Sequence, residues 1–106
     1  MPHAHNVFFT LNDAAPAKCG SLVLDCYEYL KETAGAVAFS SGTRAVGCER
    51  DVNDVQWDVS LHMVFADRKT HDAYQTAPRH MEFVTRNKAN WKKVRVFDTT
   101  VSTTGK

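Results

Sequence analysis

No stretch of this sequence approaches the roughly 18 consecutive apolar residues that a membrane-spanning helix requires, so a membrane partner is not expected. The opening, MPHAHNVFFTLND, has neither a charged lead nor an apolar run long enough for a signal peptide, which points to a cytoplasmic protein. A basic block is missing as well. Lys and Arg number 13 against 12 Asp and Glu, a formal charge of +1 with no clustering, so the electrostatic footprint of a nucleic-acid binder is absent. Cysteine is scarce. Cys19 and Cys26 fall on one expected helix, about 10 Å apart along its axis and too distant for a disulfide. Cys48 is left over in any pairing, and no C-x-x-C spacing occurs, which favours free and mostly buried thiols over a metal or redox site. No internal repeat, low-complexity tract or linker divides the 106 residues, so residues 1–106 are expected to fold as one domain with a modest core.

What is present is alternation and helical periodicity in a recognisable order. His5, Val7, Phe9 and Leu11 alternate with Asn6, Phe8 and Thr10, the period of a strand. Asp13 or a neighbour leads into Pro16, suited to a helix's first turn. Cys19, Leu22, Val23, Cys26, Tyr29, Leu30 and Thr33 then form one apolar stripe, and the helix ends at Gly35. A weaker strand covers Val37 to Val46, with a bulge or bend expected at the Ser-Ser-Gly of 40–42. Cys48 to Gln56 is polar and reads as an exposed connection. Trp57, Val59, Leu61, Met63 and Phe65 alternate with Asp58, Ser60, His62 and Val64, so one face of this third strand is wholly apolar.

Asp67 is a good N-cap for the next helix, which must stop or kink by Ala77 because the residue before a proline disfavours the α region. A second helical piece is expected from Arg79 to about Trp91, and a β-branched strand from Val94 to Val101. The order strand, helix, strand, strand, helix, strand is that of an α+β, ferredoxin-like β-α-β-β-α-β fold: a four-stranded antiparallel sheet with two helices on one face. The other face, expected to carry Phe8, Phe39 or its neighbours, Val64 and Phe97, then needs a cover. A homodimer packed through the sheet faces supplies it.

Phe65-Ala66-Asp67, then Tyr74, Pro78, His80 and Phe83, with Trp91 and Val96-Phe97-Asp98 later, resembles the stress-responsive A/B barrel (Dabb) family, as do His5 ahead of the first strand and Gly42 after the second. The resemblance spans about His5 to Asp98. It implies a dimeric α+β barrel. Many family members have no assigned activity, some plant members are stress proteins, and one plant relative is a polyketide cyclase that closes a linear tetraketide by aldol condensation. The working tyrosine and histidine of that cyclase correspond to Tyr74 and His80 here. Its third-strand histidine corresponds to Val59, which puts the product class in question.

On an unbroken helix Tyr74 and His80 would point about 240° apart. A turn at Pro78 lets both face a cavity between helices and sheet, where neutral His80 would take a proton from carbon beside a ketone and Tyr74 would hydrogen-bond the developing oxyanion. The competing reading makes Pro78 the start of a second helix whose inner stripe is His80, Val84, Asn87 and Trp91, with His80 simply packed. His5, Tyr27 and Val59 are candidate ligand-binding residues, the ligand being small and apolar or aromatic. Arg44 and Arg79 are weaker candidates for a ligand carboxylate. No metal or other cofactor is expected: His3 and His5 form an H-x-H pair, but neither a histidine nor an acidic partner lies nearby at ligand spacing, His3 is expected to fray, and His71 is expected to be solvated. A haem-degrading monooxygenase with His80 or His5 as axial ligand ranks behind both a binding or stress protein and a cyclase-like lyase.

Overall fold

A computed structural model of the chain describes residues 1–103. Strand β1 (His3–Leu11) and the last strand, β4 (Trp91–Thr100), lie side by side, with helix α1 (Pro16–Leu30), strands β2 (Ala36–Thr43) and β3 (Val59–Phe65), and helices α2 (Arg68–Tyr74) and α3 (Pro78–Asn87) between them in sequence. The sheet order is β2-β3-β1-β4, with every neighbouring pair antiparallel. This is the expected ferredoxin-like arrangement, with its second helix split in two.

Alternation in β1 decides which face is dry. His3, His5, Val7, Phe9 and Leu11 are buried beneath the helices, and the residues between them are half-buried on the opposite face. Val59, Leu61, Met63 and Phe65 of β3 join them, and α1 contributes Cys19, Leu22, Cys26 and Leu30, at steps of three and four. Such spacing keeps one helix face against the sheet. Cys19 and Cys26 are buried free thiols and Cys48 an exposed one. The molecule is only 18 Å through its thin axis, room for one sheet and one helix layer. The second sheet face is therefore bare.

The α2–α3 break follows from local chemistry. Asp67 caps α2 in a reciprocal box: its side chain accepts from the Thr70 N–H at 2.8 Å while the Thr70 side chain accepts from the Asp67 N–H. At the far end Ala77 has φ −64° and ψ 140°, the extended conformation that a following proline imposes, and Pro78 opens α3.

Several boundaries differ from the sequence reading. Helix α3 stops at Asn87, a 3-10 turn covers Lys88–Asn90, and Trp91 begins β4 rather than ending a helix. The irregularity in β2 falls between Ala36 and Ala38, ahead of the Ser-Ser-Gly. Phe39 pairs with Met63, on the helix side, and its ring meets Tyr27 at 5.0 Å, so it does not belong to the bare face. Trp57 lies outside β3, and its ring packs edge-on against Phe8 at 5.0 Å, joining the bare face instead of the core.

Gly35 connects α1 to the α2 cap. Its φ is +85°, and a Cβ there would lie 2.5 Å from the Thr70 Cβ. Its carbonyl accepts from the Ala66 N–H at 2.8 Å. Gly35→Ala is expected to cost at least about 2 kcal/mol in urea unfolding, by backbone strain plus displacement of Thr70. Gly20, inside α1 with open space around it, should respond oppositely: Gly20→Ala should gain about 0.5–1 kcal/mol. Equal effects at the two positions would contradict this account.

Candidate functional site

The helices cover β1 and β3 but leave the helix-side face of β4 open, and the uncovered strip is a groove of about 420 Å³. Val94, Val96 and Asp98 of β4 form one wall, with Tyr74, His80 and Phe83 of α2 and α3 opposite. His5, Val7 and Phe9 contribute to the lining from β1. Most of it is apolar, and the polar groups gather towards the Asp98 end.

The break at Pro78 brings Tyr74 and His80 together. Their ring centroids are 4.4 Å apart at 57°, and the His5 ring meets Tyr74 edge-on at 5.6 Å. No hydrogen bond joins the phenol to the imidazole. Instead the His80 Nδ1–H donates to the Gln75 carbonyl at 3.2 Å, one turn back across the break. A neutral ring with Nδ1 protonated carries its lone pair on Nε2. His80 is therefore both a satisfied side chain, as the packing reading has it, and a lining residue with one free basic nitrogen.

Burial lowers the His80 pKa from its ordinary value, opposed by the Gln75 hydrogen bond and reinforced by the proximity of His5. Burial also lowers His5, against the pull of Asp98. Burial raises the Tyr74 phenol well above its ordinary range, with a further push from Cys26. Near neutral pH the groove thus holds uncharged imidazoles beside a protonated phenol: a base next to a hydrogen-bond donor.

At the same end three histidines converge on one carboxylate oxygen. His5 Nδ1 lies 2.7 Å, His3 Nε2 2.9 Å and His71 Nε2 3.3 Å from Asp98 Oδ1. Burial pushes the Asp98 carboxyl up, but the hydrogen bonds from His5 and His3 outweigh it and hold the group below its ordinary value. His3 and His71 are 5 % and 6 % exposed, so neither the fraying expected of His3 nor the solvation expected of His71 occurs. Pairing β1 with β4 ties the terminus down. His71 lies three residues before Tyr74, on the same helix face.

The remaining candidates lie elsewhere. Tyr27 packs on Phe39, and its hydroxyl reaches the Ser41 N–H at 3.4 Å, away from the groove lining. Val59 is sealed in the core and does not line the groove. Arg79 is engaged by the Glu28 carbonyl and carboxylate and lies over the Tyr29 ring. Arg44 is half-buried and does not line the groove. His62 is on the bare face, bonded to Asn6 and Ser60. Sequence reasoning missed Asp98, His71, Gln75 and Trp91 as lining residues. Asp98 had a signal, since it shares the parity of Val94 and Val96 and pairs with His5 across the sheet. Among the described residues the Trp91 indole N–H is the one buried side-chain polar group without a hydrogen-bond partner.

The model of the Stress responsive A/B Barrel Domain matches residues 4–101. No curated protein matches the chain in sequence. Among solved structures it resembles a Dabb family protein with a ferredoxin-like fold from Mesorhizobium loti, at 23% identity and TM-score 0.77, covering 95% of this chain and 97% of that one. A dimeric protein of unknown function and ferredoxin-like fold from Bacteroides fragilis matches at 16% identity and TM-score 0.73 over 94% and 96% of the two chains. A hydroxynitrile lyase from Passiflora edulis matches at 14% identity and TM-score 0.76 over 97% and 95%. These likenesses concern the fold. With the family model covering nearly all of its length, the chain belongs to the stress-responsive A/B barrel domain family.

Proposed function

We propose that this chain is a homodimeric lyase or cyclase that binds small aromatic or apolar carbonyl compounds in the β4 groove and acts by acid–base chemistry at the carbon beside the carbonyl. The observation that carries this reading is the pairing of Tyr74 with His80, rings 4.4 Å apart, in the wall of an apolar groove. A bound ketone with its carbonyl oxygen at the Tyr74 hydroxyl would present its α-carbon to His80. His80 Nε2 takes the α-proton, and Tyr74 donates a hydrogen bond to the enolate oxygen as charge develops on it. The enolate carbon then attacks a second carbonyl in the aldol direction, and the alkoxide formed takes the proton back from His80 Nε2; the reverse sequence breaks the same carbon–carbon bond. The hydroxynitrile lyase from Passiflora edulis supports the reading to the extent that a lyase can be built on this fold.

The dimer rests on the bare sheet face. Phe8 is the centre of an aromatic cluster there, meeting Trp57 at 5.0 Å and Phe97 at 5.8 Å. Phe97 remains half exposed, and Val64 points to the same face further along the sheet, opposite Ala4. Packing two such faces together removes this apolar surface from water. The Bacteroides fragilis protein of like fold is dimeric, which favours a dimer here.

Two tests follow. Acetophenone in D2O should lose its methyl protons faster with the protein than without it, with His80→Ala reducing the enhancement about 100-fold or more and Tyr74→Phe less. The rate should fall only below the ordinary histidine value of 6.5, because burial depresses the His80 pKa, and stay level towards 10, because the Tyr74 phenol is raised. Exchange no faster with the wild type than with His80→Ala sinks the catalytic reading. For assembly, light scattering should report twice 11.9 kDa and Phe97→Glu should yield the monomer; a monomeric wild type at micromolar concentration refutes the dimer.

A further inference from the structure

We propose that His3, His71 and Asp98 form a binding site for one divalent first-row transition-metal ion at the end of the groove. The inference does not depend on the acid–base role of His80 and Tyr74, and it revises the expectation of no metal. That expectation rested on the H-x-H pair having no histidine or acidic partner. The fold supplies both, one from α2 and one from β4.

The spacing of the donors suits an ion. His3, His71 and Asp98 each offer one donor atom, and all three atoms lie within 4.8 Å of one another. Two ligands held about 2.1 Å from a common metal are about 3.0 Å apart at a right angle and about 3.4 Å apart at the tetrahedral angle. The two Nε2-to-Oδ1 separations, 2.9 and 3.3 Å, match those edges. The His3 and His71 rings stack at 4.0 Å with 26° between planes, which sets both Nε2 atoms on one side of the carboxylate.

Hydrogen positions fix which His71 nitrogen can ligate. His71 Nδ1 is 3.1 Å from Asp72 Oδ1, and an ionised carboxylate only accepts, so Nδ1 carries the hydrogen. In the neutral ring Nε2 then holds a lone pair, which faces the acceptor Oδ1 of Asp98 at 3.3 Å. Without an ion that lone pair accepts from the Gln75 amide N–H at 3.1 Å. A metal ion among the three donors would take the lone pairs of His71 Nε2 and Asp98 Oδ1, and that of His3 Nε2 as the hydrogen it gives to Asp98 is released.

The surroundings resemble a built outer shell. Asp72 bonds the rear nitrogen of His71 and is itself held by the Arg68 Nε–H at 2.9 Å, while His5 Nδ1 orients Asp98 from 2.7 Å. Carboxylates behind ligand histidines fix tautomer and ring direction in this way. Two imidazoles with one carboxylate select zinc, iron(II), cobalt or nickel over the all-oxygen ions magnesium and calcium. Three protein ligands leave a coordination position for an outside group, and His71 and Asp98 are also groove-lining residues. An ion there stands in the wall of the groove, placed to take an oxygen of a bound molecule.

Titrating the untagged protein with cobalt(II) chloride should produce visible d–d absorption saturating at one ion per chain, and zinc chloride should bleach it. His3→Ala, a residue outside the groove lining, should abolish the signal, and Asp98→Asn should do the same. Asp72→Asn should weaken binding about 10–100-fold. His62→Ala, on the opposite sheet face, should bind like the wild type and controls for adventitious histidine binding. Circular dichroism of each variant checks that the fold is kept. No cobalt signal with the wild type, or a signal that survives His3→Ala in a folded protein, overturns the site.

Discussion

The geometry of the groove depends on a single backbone constraint, the extended conformation that Pro78 forces on Ala77. A continuous helix from Asp67 would carry Tyr74 towards the sheet and His80 away from it. The break shifts the second segment so that His80 closes on Tyr74 from its own helix and bonds back to Gln75 across the turn. Everything polar at this end of the groove then assembles on the near side of the break. His71 lies three residues before Tyr74 on the same face of α2, and through it the helix reaches His5, His3 and Asp98.

The sheet contributes the complementary half. Because strand residues alternate, His3 and His5 share a face with the core residues Val7 and Phe9, and antiparallel pairing sets Asp98 across from His5. The strand that buries the hydrophobic core thus also delivers His5 to the groove lining and His3 to Asp98 at its end. Burial then makes those groups useful: it penalises charge on His5, His80 and Tyr74 alike, leaving neutral imidazoles beside a protonated phenol. The aromatic cluster around Phe8 lies on the opposite, bare face of the sheet and shares no residue with the groove lining.

Much of the fold was legible because its signals are periodic. The alternation of β1 and β3, the α1 stripe from Cys19 to Leu30, the Asp67 cap and the Pro78 break all appear in the structure as the sequence predicts. What failed to read were places where the chain leaves its period. Trp57 has the parity of Val59, yet it precedes the strand proper and turns to Phe8. Trp91 fits a helical step from Asn87, but a 3-10 turn intervenes and the residue joins β4. At the site, the proximity of Tyr74 and His80 could be read from the proline. The gathering of His3, His71 and Asp98 could not, because three elements distant in sequence supply one donor each and no short-range spacing records that.

The proline break makes Tyr74 and His80 neighbours in one groove, and the proposed chemistry rests on that proximity. The most direct measurement is a nuclear Overhauser spectrum of the isotope-labelled protein with the Tyr74 and His80 ring resonances assigned. Cross-peaks from the Tyr74 ring protons to those of both His80 and His5 are predicted from centroid separations of 4.4 and 5.6 Å. A spectrum in which Tyr74 shows contacts to His5 and the Phe65 ring but none to His80 would contradict the account, because the histidine would then lie outside the groove on which the chemistry rests.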